Sequence, residues 1–513
     1  MRRHGWLAPL AVLAGWVIPP AASAELGDLD ITTLEHAAQL EKTRGLPLEQ
    51  RVETVVWPRT KVRAAVREAP DPLDPRPVLA ADLPLYQRLG LLPWGSDAEE
   101  ALAQVTWPVV PGAVLPIQGQ PLVTGRIVLV REAPRPALVH RMVVGLALLA
   151  HHHPLPPVAD DRDRAIAATA LRLGDAFYAG LSSSIPMQPG DLAERTAWAR
   201  GQLEEVLTEP SPTGQRGFLD RLVRAMALDG LSGVVGARAS TPWGGVDSLY
   251  RRGQPRSTAQ LLHPAKLVED SAVRRVDVAP LAALAERGQA AVGRLGELRT
   301  RLWLEQWIEP AVAARAAEGW SGDAYALFPA AAERPESSTL ILLFAFDTAG
   351  EAAEEEARDF AGALDAAVAR RFQGELRPLE SQPADASAWI DPGGLALLVE
   401  RRDDKVLYVE GCQQELLGTV RDQVWDGWRV ALPPLGVLAV PDAGPAPAVA
   451  PMAPPAPWYR RTPGVVALAL WLLVLLPLAS YGGSRVSLSP VKIYLYGLLA
   501  TAIVIGLGWI LGL

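Results

Sequence analysis

The run PALVHRMVVGLALLA, residues 136–150, constrains the fold more than any other stretch of this chain. Its only polar side chains are His140 and Arg141, in neighbouring positions. A helix that is apolar around its whole circumference has to be buried on all sides. Several other elements must therefore wrap around this one. The chain has the material: 513 residues, 49% hydrophobic and 21% charged, a length that suits about two to four domains. Net charge is −8, and there is no basic stripe, so a nucleic-acid partner is not expected.

Both ends of the sequence point to membranes. Arg2 and Arg3 precede an apolar run from Trp6 to Ile18, followed by Ala22-Ser23-Ala24. That order is a secretory signal, with residues 1–24 removed before Glu25. At the other end, Gly464–Tyr481 and Val491–Leu513 are long apolar runs joined by GGSRVSLSP. At ~1.5 Å per residue each matches a hydrocarbon core ~30 Å thick. Trp458, Tyr459, Tyr481 and Tyr494 stand at their edges, where amphipathic rings favour the interface. The expectation is a two-helix transmembrane hairpin over 458–513, with the bilayer as partner through 464–481 and 491–513. It would act as an anchor and not a channel, because polar residues are nearly absent from both runs. Residues 25–457 would then be exported, periplasmic or extracellular, and held at the cell membrane. Cys412 is the only cysteine, so no intramolecular disulfide can form, and it reads as a small buried hydrophobe.

Between the ends, TTLEHAAQLEKTRG reads as a helix with a Thr32/Glu35 capping box and a Gly45 stop. A strand ending at Trp57 and a helix over 61–69 follow. LYQRLGLLPWGSDAEEALAQV gives helix, turn, helix, and residues 125–132 a strand. Helices are expected over 163–180, 191–207 and 213–229, an irregular stretch over 236–266, and alanine-rich helices over 278–319 broken near Pro310. From residue 337 the character changes. SSTLILLFAFD is strand-like, a helix runs to Phe372, and LALLVERRDDKVLYVEG is a hairpin turning at Asp403-Asp404. A closing helix follows. The expected organisation is α+β: a mainly helical domain over 25–336, a small α+β unit over 337–432, a Pro/Ala-rich linker over 433–457, and the hairpin.

The histidines invite a metal reading. A zinc peptidase of the HExxH type needs two histidines at i and i+4 on one helix face, a glutamate at i+1 to activate water, and a third ligand from elsewhere. His140 fits the first position. Arg141 cannot accept a proton, and Val144 has no lone pair. His151 lies ~16 Å along the same helix, too far to share a metal with His140. His151–His153 read as the end of a helix, where imidazoles suit the carbonyl terminus. In an extended chain, His151 and His153 would instead share a face.

Several segments together resemble exported bacterial metallopeptidase-like proteins of the gluzincin type, across roughly residues 30–430. TRGLPLEQRVETVVWPRTKVRAAV (43–66) and LYQRLGLLPW (85–94) resemble the family's opening. GRIVLVREAPRPALVHRM (125–142) resembles the strand and metal helix, where members read close to H-E-x-x-H-A-L-x-D-Q. LRLGDAFYAG (171–180) resembles the E-G-D-A helix, and SLYRRGQPRSTAQLLHPAK (248–266) the P-x-S-T-x-Q-I-L-H-P-x-K segment. GELRTRLWLEQW (296–307) and EGWSGDAYALF (318–328) resemble the remaining motifs.

Carried over position by position, the resemblance leaves one of four active-site groups. His140 remains; Arg141 stands at the base, Val144 at the second ligand and Leu173 at the third. It implies a degenerate member, a pseudoenzyme with no catalytic residue, no cofactor and a lost zinc site, which binds a peptide or protein partner without cleaving it. Arg256, Ser257, Thr258, Gln260 and His263, with Pro255 and Pro264, are candidates for the former cleft, or else loop architecture. Trp320, Gly322, Asp323 and Tyr325 read as a turn whose aspartate grips backbone amides. Two other functions stay open. One is a metal-dependent peptidase with non-standard ligands, drawn from His140 or the triple histidine with Asp160, Asp161 or Asp175. The other is a structural envelope protein.

Overall fold

The computed structural model describes residues 28–48, 53–68, 79–95, 112–115, 126–153, 161–184, 190–207, 217–268, 273–330, 337–346, 351–379 and 385–431. The chain opens with helix α1 (Asp28–Arg44), strand β1 (Glu53–Trp57), α2 (Arg59–Glu68), α3 (Leu83–Arg88), β2 (Gly112–Leu115) and β3 (Arg126–Val130). These strands form a small sheet in the order β1-β3-β2, with β1 parallel and β2 antiparallel to β3. Helix α1 begins four residues before Thr32, so the expected capping box is absent and Thr33 lies inside the helix. Gly45 stops it as expected, at φ +82°, where a side chain would be strained.

Helix α4 (Pro136–His152) starts on a proline, whose missing N–H costs nothing at a helix N-terminus. It is buried nearly all round, as its sequence requires. It packs against α1 and against α5 (Arg162–Ser184), which runs antiparallel to it: Gly145 meets Ala176, and Gly180 meets Arg141 and Met142. Helix α6 (Leu192–Leu207) and α7 (Phe218–Ser240) complete the bundle. At the α5–α7 crossing, Gly174 and Gly230 let the two backbones touch, leaving no room for a Cβ on either.

The segment expected to be irregular, 236–266, is mostly helical: α7 runs on to Ser240, followed by α8 (Trp243–Arg251), α9 (Thr258–Leu262) and α10 (Pro264–Val268). Its prolines and glycines start helices and join them. Residues 278–319 differ in the opposite sense. After β4 (Arg275–Asp277) come a 3₁₀ turn (Ala282–Arg287), β5 (Ala291–Gly293), α11 (Glu297–Leu304) and α12 (Pro310–Ala317). Gly288 and Gly296, at φ +86° and +81°, break the expected long helices. Pro310 opens α12 instead of interrupting one.

The rest is β6 (Trp320–Phe328), β7 (Thr339–Phe346), α13 (Glu351–Arg371), β8 (Arg377–Pro378), β9 (Ala386–Ile390), β10 (Ala396–Arg402), β11 (Lys405–Cys412), α14 (Gln414–Gly427) and β12 (Arg429–Ala431). Strands β5 to β11 make an antiparallel seven-stranded sheet in the order β5-β6-β7-β11-β10-β9-β8. Every residue of β6 and β7 is buried. One face carries Leu340, Leu342, Phe344, Val399 and Tyr408 into the main core with α11 and α13. The other carries Ile341, Leu343, Leu398 and Val409 against α14 and the 3₁₀ turn. Burial on both faces explains the unbroken apolar run of β7. Cys412 is buried there, in that second cluster.

Two expectations are corrected. The boundary at residue 337 falls inside the sheet, because β6 pairs along the whole of β7. All described residues belong to one compact unit. Second, among the described residues no helix is long and apolar enough to cross a membrane. Helix α4 is apolar, but its 17 residues reach only about 26 Å, short of a ~30 Å core. Helices α5 and α7 are longer but carry buried or half-buried charges, among them Asp163, Arg172, Asp175 and Asp229. Over the described residues the fold class is therefore mixed α+β, and no transmembrane hairpin or transmembrane helix is found among them. The segments on which that expectation rested, 464–481 and 491–513, lie outside the described residues, as do the signal segment 1–24 and the linker 433–457.

Candidate functional site

His140 sits in the second turn of α4 and is buried. Its Nε2 shares a 2.7 Å hydrogen bond with the Thr33 hydroxyl, which in turn shares one of 2.6 Å with Thr54. The His36 ring meets His140 edge-on, with centroids 4.7 Å apart. Burial pushes His140 down to about 4, helped by the neighbouring Arg141 cation. His36 is also lowered to about 4, by burial first and then by His140 and Arg141. Both imidazoles are thus neutral at pH 7. Arg141 is half-exposed and donates to Gln39 on α1 at 3.4 Å.

The other two positions belong to the core. Val144 and Leu173 are 0% and 1% exposed and lie in the main hydrophobic cluster, so neither lines a cleft. The α4–α5 contacts also fix their levels. Gly180 packs beside Arg141 and Met142, and Leu173 lies seven residues earlier on α5, about 10 Å along the axis. Leu173 is therefore not brought to His140. The residues do not fit a zinc ion: tetrahedral zinc needs three or four nitrogen, sulfur or carboxylate ligands. Here two imidazoles meet threonine hydroxyls and a guanidinium. Among the described residues no group of three or more His, Cys, Asp or Glu is placed to hold a metal.

The carboxylates available to a non-standard site are otherwise engaged. Asp175 receives Arg44 Nε and Nη2 at 2.9 and 3.0 Å and the Tyr250 hydroxyl at 3.1 Å. Arg44 also pairs with Asp247 at 2.7 Å. Asp161 pairs with Arg294 at 2.8 Å, and Asp160 lies outside the described residues. The triple histidine ends α4, with the His151 and His152 rings edge to face at 4.7 Å and His153 turned elsewhere. His152 Nε2 bonds the Pro47 carbonyl at 2.9 Å. The His153 ring stacks on Tyr250 at 4.3 Å, with its Nε2 3.7 Å from Asp247.

Most of the cleft candidates are turned into the fold. Ser257, Thr258 and Gln260 are buried. Gln260 Oε1 accepts the Arg256 N–H at 2.7 Å, closing the turn into α9. The Thr258 hydroxyl donates to Asp163 at 2.7 Å and accepts the Leu298 N–H at 3.1 Å. His263, half-exposed, pairs with Glu297 at 2.7 Å. Asp323 grips the Leu295 and Gly296 amides at 2.6 and 2.7 Å and the Trp320 indole at 2.8 Å. The amide-gripping role is the expected one, but Asp323 acts from a strand and not a turn. Tyr325 donates to Asp82 at 2.6 Å. The motif segments thus meet in one buried polar hub.

Sequence reasoning missed His36, Thr33 and Arg44. They sit on α1, more than a hundred positions from the partners they meet on α4 and α5, and their local pattern signals only a helix.

A model of a domain of unknown function, DUF8575, matches residues 283–421, under half of the chain. The match runs across residue 337 and takes in β5 to β11 with α11 to α13. No curated protein and no solved structure matches.

Proposed function

We propose that this chain works by binding and not by hydrolysis: an exported, gluzincin-like pseudoenzyme that holds a peptide or protein partner uncleaved. One observation carries the reading. The nitrogen that would face a metal, His140 Nε2, is committed to Thr33 in a neutral, buried cluster that also holds the His36 ring. Arg141 supplies positive charge where a peptidase needs a base. Export rests on the signal-like segment 1–24, and the peptide or protein partner on the resemblance. A peptidase with non-standard ligands draws no support, since Asp161 and Asp175 are held by arginines.

The test is hydrolysis of an unstructured protein such as casein by the full chain, with and without added zinc. The expected result is no cleavage above buffer, and zinc that leaves on dialysis. Cleavage that stops with a chelator and in His140→Ala would overturn the proposal.

A further inference from the structure

At the far end of α4 from His140, a cavity of about 220 Å³ opens between the last turn of α4, the face of α5 and the turn after α8. Arg164, Arg172, Arg251, Tyr250 and Gln254 are among its lining residues, and no carboxylate lines it among the described residues. Two of these are buried and short of partners. Arg172 is 2% exposed; its Nη2 donates to the His153 carbonyl, while Nε and Nη1 have no acceptor among the described residues. Gln254 is 3% exposed, and neither polar atom of its amide has a partner among the described residues. Burial lowers Arg172 only to about 10, so it keeps its charge at neutral pH.

A buried cation without a counter-ion is costly unless something else supplies the charge. Asp175, one helical turn away, supplies part of it through space but accepts no hydrogen bond from Arg172. Asp175 is taken up by Arg44 and Tyr250, and Asp247 by Arg44 with His153 alongside. Three arginines with no lining acid suit a dianion better than a monoanion. Arginine N–H groups match the oxygens of phosphate, which carries about −1.5 to −2 charges near neutral pH. The cavity is several times the ~30 Å³ share of one water, room for a phosphate and a small group beside it. The His153–Tyr250 stack offers that group an aromatic wall.

We infer that this cavity binds phosphate, free or as a small phosphate monoester, with Arg172 and Gln254 as its buried donors. The site stands apart from the histidine cluster and holds whether or not the chain cleaves peptides.

Titration calorimetry of the full chain tests it with inorganic phosphate, phenyl phosphate and benzoate. Phenyl phosphate is expected to bind most tightly and benzoate least. Losing one charged donor weakens binding by about 10- to 100-fold, so Arg172→Met should lose phosphate by that factor, and Gln254→Leu by less. Arg172→Met should also melt at or above the wild-type temperature in the absence of anion, because it removes a buried charge that is only partly compensated. Benzoate binding as tightly as phenyl phosphate would overturn the assignment. So would equal phosphate affinity in wild type and Arg172→Met, or no phosphate binding at millimolar concentration.

Discussion

Burial acts differently on the basic groups at the two ends of helix α4. Near its start, His36 and His140 escape the cost of a buried charge by losing it, both being held at about 4 against an ordinary 6.5. Near its end, Arg172 cannot do the same, because a guanidinium lowered to about 10 is still protonated. The first pair is inert to anions and the second group needs one. The histidines also set a pH dependence. Below pH 6.5 the unfolded chain protonates both rings, while the fold does so only near 4, so their contribution is lost as pH falls through that window. Asp163 and Glu297, pushed up by burial to about 7, act in the opposite sense over much of the same range. Wild-type stability alone therefore mixes the two effects. In His36→Gln one of the acid-sensitive groups is gone. The gap in urea midpoint between variant and wild type should shift in favour of the variant as pH falls from 6.5 towards 4. A gap independent of pH would show that His36 titrates normally in the fold.

Among the elements, the α5–α7 crossing depends on two glycines. A Cβ on Gly230 would overlap the Ala170 carbonyl, a backbone atom that cannot rotate away. Overpacking of this kind costs about 1–3 kcal/mol or more. Gly230→Ala should lower the melting temperature, while Gly201→Ala, where a Cβ meets nothing within 4 Å, should not. A Gly230→Ala protein as stable as wild type would mean the helices cross more loosely. The same contact explains the first part of the GDA sequence at 174–176: glycine for close approach, aspartate for Arg44, alanine against Gly145. Each has a packing or pairing role that needs no active site.

Across the whole molecule, the helical part and the sheet share one polar interior. Glu410 of β11 takes Arg88 of α3 at 3.1 Å, Arg371 of α13 at 2.9 and 3.0 Å, and the Tyr408 hydroxyl at 2.7 Å. Asp82 similarly joins Arg162 of α5, Arg299 of α11 and Tyr325 of β6. A division at residue 337 would strip β7 of its partner β6 and leave seven buried apolar positions and Thr339 on an open edge. Residues 337–432 expressed alone should therefore aggregate, as read by size-exclusion chromatography. A folded monomer of that fragment would show that the sheet does not need β6.

Local pattern was enough for the buried helix α4, the two-faced strand β7, helix α13 with its acidic start and basic end, and the β10–β11 hairpin. That hairpin turns at Asp403, whose φ of +53° aspartate tolerates. In each, the signal lies within one element's length of chain. Val144 and Arg141 are likewise facts of sequence, standing where the resemblance to an HExxH helix leads one to expect a ligand and a base. Only the tertiary structure decided what surrounds them. It set Thr33 and His36 against His140, put Leu173 at the wrong level on α5, turned Ser257 and Thr258 inward, and left Arg172 beside a cavity without an acid. Those outcomes depend on which distant segments converge and on how much water they exclude, and neither quantity is carried by the spacing of residues along one strand or helix.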